Sequence, residues 1–365
     1  MNDSALKRLL SDRMALLGIA FILALLTISV LGPLVRIDKS PKANKQFLEL
    51  ARKHPGFKTS ILLLPKAENS NKSLVNQWFF GFQQLNDEIP IKEYFITSDS
   101  LYAWPWNSLH PNLINGKLAF PLNSWQNGFS DEMIIQRTHY LGTDRYGRDM
   151  LSRLLSGTWI SFTVGLISIF ISLVIGLSIG MIGGYFGGRV DDFVVWLINV
   201  VWSIPTLLLV IAITMALGKG FWQVFVAVGL TMWVEVARIV RGQVLSLKEK
   251  EFIEASKAFG FSHIRILFKH VLPNITGPLI VISASNFAAA ILIEAGLSFL
   301  GLGAQPPQAT WGRMISEHKG YIITGDAYLA IFPGIAICLM VLSFVLLGNG
   351  LRDVFDVKGE KSSQL

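Results

Sequence analysis

Long stretches without a charged residue are the feature that most constrains how this chain can fold. Four stretches contain no Asp, Glu, Lys or Arg: residues 14–35, 154–188, 193–218 and 327–351. A bilayer core is about 30 Å thick, and about 20 mostly apolar helical residues cross it. Each of the four stretches is therefore long enough to cross a membrane once.

Two further stretches, 221–240 and 275–302, are interrupted by single charges. The first carries Glu235 and Arg238 near one end, and the second carries Glu294. With both counted, the sequence predicts an all-α integral membrane protein with six transmembrane helices. Buried helices of a soluble core would show a polar face, which these stretches lack. The composition agrees, because 16% of the residues are charged, whereas soluble domains carry about 25%.

Basic residues indicate which way the helices cross. Lys7, Arg8 and Arg13 precede the first stretch, and basic residues recur in 238–270 and in the C-terminal tail. The positive-inside rule then places both termini in the cytoplasm and the long second segment outside, since loops of this length cross regardless of charge. The net charge of +7 is thus explained by topology rather than by nucleic acid. The first stretch is too long for a signal peptide and lacks a small-residue cleavage site.

This topology divides the chain into four parts. They are the cytoplasmic N-terminus and first helix (1–35), an extracytoplasmic insert (36–140), a core with helices two to six and a cytoplasmic loop at 242–274 (141–355), and a cytoplasmic tail (356–365).

The insert combines short extended segments with one possible helix. Segments 58–64, 91–96 and 101–106 have the composition of strands, and 46–53 is compatible with a helix. We therefore predict a mixed α/β insert.

The cytoplasmic loop contains a charged helix with apolar residues on one side. Helical spacing aligns Phe252, Ala255 and Phe259, and Gly260 can supply the left-handed cap that ends the helix. A second helical segment follows and is predicted to stop at Pro273. An ordinary solvated loop would also explain this pattern.

This loop resembles the EAA loop of permeases that belong to binding-protein-dependent ABC importers. The residues that carry the resemblance are Glu254, Ala255, Ser256, Gly260, Leu272 and Pro273. The resemblance implies a coupling helix that fits a groove in a separate ATPase subunit, so that nucleotide-driven closure moves the membrane helices.

Further motifs are similar to those of the C-type permeases of dipeptide, oligopeptide and nickel importers. Before the second span they comprise Gly142, Thr143, Asp144, Gly147, Arg148 and Asp149. Segments 187–192, 293–303 and 348–353 are similar as well.

The resemblance implies the type I ABC importer permease fold in a bacterial cytoplasmic membrane. The implied partners are a second permease subunit, two ATPase subunits that bind the ATP, an extracytoplasmic solute-binding protein and membrane lipid. The implied substrate is a peptide or, alternatively, a nickel chelate or another small solute. This chain itself is implied to hold no cofactor.

Charged residues inside or beside the apolar stretches are candidates for specific contacts. Glu294 is expected either to line the translocation path or to make an interhelix contact. Glu235 and Arg238 lie one turn apart and can pair, but we interpret them as residues of helix packing whose charged ends reach the membrane interface. From Asp149 onward, apolar and polar residues fall on opposite faces. This pattern predicts a helix on the membrane surface or, alternatively, an extension of the second span.

Proline and glycine suggest where helices bend and touch. Pro205 predicts a kink in the third span. Gly180, Gly183, Gly184, Gly187 and Gly188 predict close helix contact at the end of the second span.

Sites for ATP and metal ions are not evident in the sequence. Gly218-Lys219 lacks the spacing of a phosphate-binding loop, and the histidines show no metal-ligand spacing. Cys338 is the single cysteine, which excludes an internal disulfide. We therefore expect a transport subunit and not an enzyme. A secondary transporter would show inverted repeats and several mid-membrane ionisable residues, and a receptor or enzyme would need a reactive set in the insert.

Overall fold

Long helices dominate the computed structural model, which describes residues 3–65, 86–107, 116–122, 133–218 and 220–362. In chain order they are α1 (Asp3–Ser11), α2 (Arg13–Val35), α3 (Met150–Phe186), α4 (Gly188–Trp202), α5 (Thr206–Leu217), α6 (Phe221–Lys248), α7 (Glu251–Ala258), α8 (His263–Ile266), α9 (Leu272–Phe299), α10 (Trp311–His318) and α11 (Tyr328–Ser362). A π-helical turn, Leu267–Val271, joins α8 to α9.

Five helical stretches among the described residues are long and apolar enough to cross a membrane. They are Arg13–Gly32, Met150–Phe186, Phe221–Lys248, His263–Phe299 and Tyr328–Phe355. The remaining predicted span consists of α4 and α5, which pass the same test only as a pair and bend by 86°. Pro205 lies at the break, where it lacks an N–H for the helical ladder and disfavours helical backbone at Ile204. The predicted kink is confirmed.

The helix that begins after Asp149 runs without interruption from Met150 to Phe186. The prediction of a separate helix on the membrane surface is therefore wrong, and the alternative, an extension of the second span, is confirmed. Ser152 and Arg153, which gave the segment its polar face, are buried among polar partners instead of facing water.

Small residues allow α3 and α6 to pack closely. A Cβ on Gly176 or Gly180 would lie 2.6 Å from the backbone oxygens of Trp233 and Ala237, respectively. A Cβ on Gly184 would lie 2.8 Å from the Val244 Cβ. The predicted close contact is confirmed for Gly180 and Gly184.

The insert between α2 and α3 contains a five-stranded antiparallel sheet. Its strands are β1 (Phe57–Pro65), β2 (Asn86–Ile96), β3 (Ser100–Pro105), β4 (Leu118–Pro121) and β5 (Ile134–His139), in the order β4-β3-β2-β1-β5. The three segments predicted to be extended fall in β1, β2 and β3.

Residues 46–53 form only the short 3-10 turn Leu48–Leu50 instead of the helix that the sequence allowed. The Lys53 N–H donates to the Thr143 hydroxyl, which itself donates to the Leu50 carbonyl. These polar groups thus bond to the segment before α3, and a helical ladder does not form.

Candidate functional site

The loop after α6 forms a hairpin of two short helices, α7 and α8 (residues 251–266, the α7–α8 hairpin). At the end of α7, the Gly260 N–H donates to the Lys257 carbonyl (2.9 Å), and the Phe261 N–H donates to the Ser256 carbonyl (3.2 Å). Gly260 has a φ of +71°, a left-handed conformation that strains any side chain. The predicted glycine cap is confirmed.

The apolar residues that the sequence aligned on α7 face away from the rest of the chain. Phe259 is 79% exposed and Phe252 is 42% exposed, and Ala255 is exposed as well. The side chain that anchors α7 is Ile253, which is fully buried against the ends of α3 and α6. Sequence reasoning missed Ile253 because it lies one residue away from the apparent stripe.

Polar contacts fasten the hairpin and its surroundings to neighbouring helices. The Tyr185 hydroxyl, at the end of α3, lies 2.9 Å from His263 Nδ1, at the start of α8. Arg241 of α6 makes a two-pronged ion pair with Asp191 of α4, with 2.6 Å between Nη2 and Oδ2. The hairpin is therefore bonded to α3, and α4 is bonded to α6. Glu254 lies exposed on the hairpin.

Pro273 does not end the second helical segment, so that prediction is wrong. α8, the π turn and α9 form one continuous helical stretch. In the π turn, the Leu272 N–H donates to the Leu267 carbonyl. The Asn274 side chain donates to the His270 carbonyl (2.6 Å), which satisfies an acceptor near the proline. The shift to π geometry thus accommodates the missing proline N–H, and the hairpin continues directly into a long membrane helix.

Glu294 is buried where α9 meets the segment that leads into α10. Ser298 Oγ donates to Glu294 Oε1 at 2.6 Å, and Thr310 supplies a second side-chain hydrogen bond. Thr310 also caps α10 by accepting from the Arg313 N–H (3.2 Å). Within this chain, Glu294 ties α9 to the beginning of α10.

A buried network of charges surrounds Asp144, in the segment before α3. Asp144 Oδ1 accepts from the backbone N–H groups of Tyr146 (2.8 Å) and Arg148 (3.0 Å), and Oδ2 accepts from Arg148 Nε (2.6 Å). Arg148 also donates to Glu317 of α10 (3.2 Å) and to Asn44 (3.0 Å). Asn44 begins the insert stem, residues 44–53. One guanidinium therefore joins the insert, the start of α3 and α10.

Asp149 begins α3 and holds the end of β5 beside it. One oxygen accepts from the Ser152 N–H, and the other lies 2.7 Å from His139 Nδ1. Arg153 follows on the same helix with its Nε 3.7 Å from the Asp144 carboxylate. These contacts explain why the polar residues at the start of α3 are buried.

Gly142 and Gly147 allow the backbone of the insert stem to approach closely. Both have positive φ, +76° and +71°. A Cβ on Gly142 would overlap the Lys53 carbonyl oxygen, and one on Gly147 would overlap the Phe47 carbonyl oxygen. Thr143, which lies between the two glycines in sequence, is bonded to the stem. The motif before α3 therefore forms the surface on which the stem packs.

Burial and ion pairing set the charge of two acids in this region. Burial raises the pKa of Glu317, but the hydrogen bond from Arg313 and the surrounding positive charges outweigh burial and lower that pKa below its usual value. The same holds for Glu88 on β2. Burial raises its pKa, but Arg137 and Lys45 outweigh burial, and the pKa is lower than usual. Both carboxylates are thus stabilised in the charged form. The described residues offer no cluster of three His, Cys, Asp or Glu side chains that could hold a metal ion.

Glu235 and Arg238 do not pair in the structure, although their spacing allows it. The Arg238 guanidinium lies 3.4 Å from the centroid of the Trp202 ring, at the end of α4. Among the ion pairs of the described residues, none joins the two side chains, and both are exposed. A cation–π contact to the aromatic ring takes the place of the intrahelical pair that the spacing allows.

Comparison with known proteins identifies the family. The family model described as binding-protein-dependent transport system inner membrane component matches residues 172–358. The dipeptide transport system permease protein DppC of Bacillus subtilis is 42% identical over 220 residues, which cover 60% of this chain and 69% of that protein.

Two other relatives and one solved structure show the range of similarity. The oligopeptide transport system permease protein OppC of Bacillus subtilis is 39% identical (62% of this chain, 73% of that one). The glutathione transport system permease protein GsiD of Salmonella typhimurium is 44% identical (60% and 72%). An inward-facing MetNI methionine ABC transporter structure is 21% identical with a TM-score of 0.46, and the match covers 57% of this chain and 97% of that chain. On the family match and the identities of the three permease relatives, the chain belongs to the binding-protein-dependent transport system inner membrane components.

Proposed function

We propose that this chain is one permease subunit of an ABC importer that passes di- or oligopeptides across the cytoplasmic membrane. Separate ATPase subunits supply the energy and bind the α7–α8 hairpin. The names of the relatives support the substrate class, since the three cited relatives transport dipeptides, oligopeptides and glutathione.

The observation that carries the proposal is the exposed apolar face of the hairpin on an anchored base. Phe252 and Phe259 project outward while Ile253 is fully buried. Exposed apolar patches of this kind mark protein interaction sites. Glu254, Ala255 and Ser256 lie on the same short helix, and Gly260 fixes its end.

Force on the hairpin has two routes into the membrane. One route is the Tyr185–His263 contact and the packing of Ile253, which lead to α3 and α6. The other is the continuous helical stretch through Leu272 and Pro273 into α9. ATP-driven movement of a bound ATPase subunit would therefore displace three long helices together.

The complete topology belongs to this proposal. We count α4 and α5 as one broken span, which gives six spans in the type I ABC importer permease fold. Both termini are cytoplasmic, and the insert, residues 36–140, lies outside. A second permease subunit completes the pathway, and a solute-binding protein delivers the peptide. Glu294 acts as an interhelix contact that positions α10.

Reconstitution tests the proposal. The permease pair and ATPase subunits are placed in proteoliposomes with the solute-binding protein and a radiolabelled dipeptide, tripeptide or hexapeptide. We expect uptake that requires both ATP and the ATPase subunits. Gly260→Ala should abolish uptake, whereas Gly242→Ala, at a helical glycine with no neighbour within 4 Å, should preserve it. Uptake driven by an ion gradient without ATPase subunits, or normal uptake with Gly260→Ala, would contradict the proposal.

A further inference from the structure

Exposed apolar side chains of the insert collect at one end of its sheet. Tyr94, Phe95 and Ile96 end β2 and are each at least 40% exposed. Tyr140, which follows β5, is more exposed still. By contrast, Ile61 and Leu62 in the middle of β1 are fully buried. Among the described residues of the sheet, large exposed apolar side chains thus lie at one end, whereas those in the middle of β1 are buried.

The strand register places this end of the sheet beside the membrane helices. Phe57 begins β1 and pairs with His139, the last residue of β5, and His139 contacts Asp149 at the start of α3. Ser60 pairs with Ile91 in β2. β2 continues from Ile91 to Ile96, which is farther than β1 extends from Ser60 back to Phe57. The end of β2 therefore reaches the level at which the sheet joins α3, or passes it.

The lipid-facing surface of α2 ends close to the same level. Leu34 and Val35, the last residues of α2, are exposed apolar side chains. Three residues after Val35, the Asp38 N–H donates to Ser152 Oγ in the first turn of α3 (3.0 Å). The base of the sheet thus lies within a few residues of the point where apolar membrane surface begins.

The positive charges near this end of the sheet suit phospholipid headgroups. Lys39, Lys42 and Lys58 are exposed near the base of the insert. The Lys117 ammonium lies 4.3 Å from the Tyr102 ring centroid and 5.5 Å from that of Phe95. Two exposed acids, Glu93 and Asp99, lie in the same hairpin. Aromatic rings interleaved with lysines are typical of the membrane–water interface, where the rings lie at headgroup depth and the ammonium groups meet phosphates.

We propose that the β2–β3 tip, residues 94–102, dips into the headgroup layer of the phospholipid bilayer next to α2 and α3. Tyr94, Phe95 and Ile96 enter the interface, and Lys117 binds lipid phosphate. The tip attaches the insert to the membrane, in addition to its covalent connections and its contacts with the segment before α3, and it fixes the tilt of the sheet over the membrane. The proposal requires only that the chain is a membrane protein, and it is independent of the transported substrate.

Site-directed fluorescence tests this contact in the assembled complex. Cys338 is replaced by Ser, and an environment-sensitive NBD probe is attached at Ile96→Cys or Tyr94→Cys. The matched control is Gln136→Cys, an exposed site in the middle of β5. The complex is placed in nanodiscs of phosphatidylethanolamine and phosphatidylglycerol that contain a lipid with a nitroxide on its headgroup. An unchanged Tm shows that each variant is folded.

We expect the nitroxide lipid to quench most of the fluorescence at positions 94 and 96 and iodide to quench little. The probe at position 136 should show the opposite pattern. Strong iodide quenching at 94 and 96 without lipid quenching would place the tip in water and overturn the proposal. Protection from both quenchers would show that another subunit covers the tip, and would overturn it equally.

Discussion

Replacing Gly147 by alanine should loosen the attachment of the insert stem to α3. Gly147 has a φ of +71°, and left-handed backbone costs an L-residue about 1–2 kcal/mol. The new Cβ would also overlap the Phe47 carbonyl oxygen, which belongs to backbone and cannot rotate away. Overpacking of this kind costs a further 1–3 kcal/mol or so. The free energy of unfolding should therefore fall by about 2–5 kcal/mol.

Gly188→Ala is the matched control for this change. Gly188 has a φ of +54°, but a Cβ there meets nothing within 4 Å. Its replacement should lower the free energy of unfolding only by the cost of the left-handed backbone, about 1–2 kcal/mol. The assay is the Tm of the detergent-solubilised protein, together with the rate of limited proteolysis in residues 44–53. Equal losses of Tm for the two variants, with no faster cleavage of the stem in Gly147→Ala, would refute the reasoning.

Three further predictions concern contacts between side chains. Ile253→Ala should lower the free energy of unfolding by about 2–5 kcal/mol and reduce uptake, whereas Ile253→Val should cost about 0.5–1.5 kcal/mol; equal Tm values would contradict this. Arg241→Gln breaks the ion pair with Asp191 and should lower the Tm. Adding Asp191→Asn to this variant should lower the Tm further by a smaller amount, because the pair is already broken. Glu317→Gln should lower the Tm at neutral pH. The deficit should shrink below the ordinary pKa of 4.5, because the depressed pKa makes the carboxylate stabilising above that value, and this contribution is lost as the pH falls through the folded-state pKa. A pH-independent deficit would contradict this reasoning.

The parts of the fold that the sequence predicts are those set by local rules. The thickness of the bilayer fixes the length of an apolar helix, so the spans are visible as charge-free stretches. Gly260 is predictable because a left-handed helix cap favours glycine irrespective of its surroundings. Pro205 marks a break, yet the angle of 86° depends on how α4 and α5 pack, which no local rule contains.

The missed features depend on partners that are distant in sequence. Helical periodicity shows that α7 has an apolar stripe, but not that the stripe faces outward while Ile253 meets α3 and α6. Arg153 looks like part of a solvated face, but in the structure it is buried with its guanidinium beside the Asp144 carboxylate. Pro273 normally ends a helix, and here the chain passes through a π turn and continues into α9, with the Asn274 side chain bonded to the His270 carbonyl.

Co-purification of the ATPase subunits with the permease pair tests the central claim, that the α7–α8 hairpin is their docking surface. Phe259→Asp places a charge on the most exposed large apolar residue of that surface and leaves Ile253 in place. We predict that it loses the ATPase subunits and peptide uptake at an unchanged Tm. Ile323→Asp, at a residue 91% exposed in the segment before α11, should retain the bound subunits. Recovery of ATPase subunits with Phe259→Asp in the wild-type amount would contradict the claim.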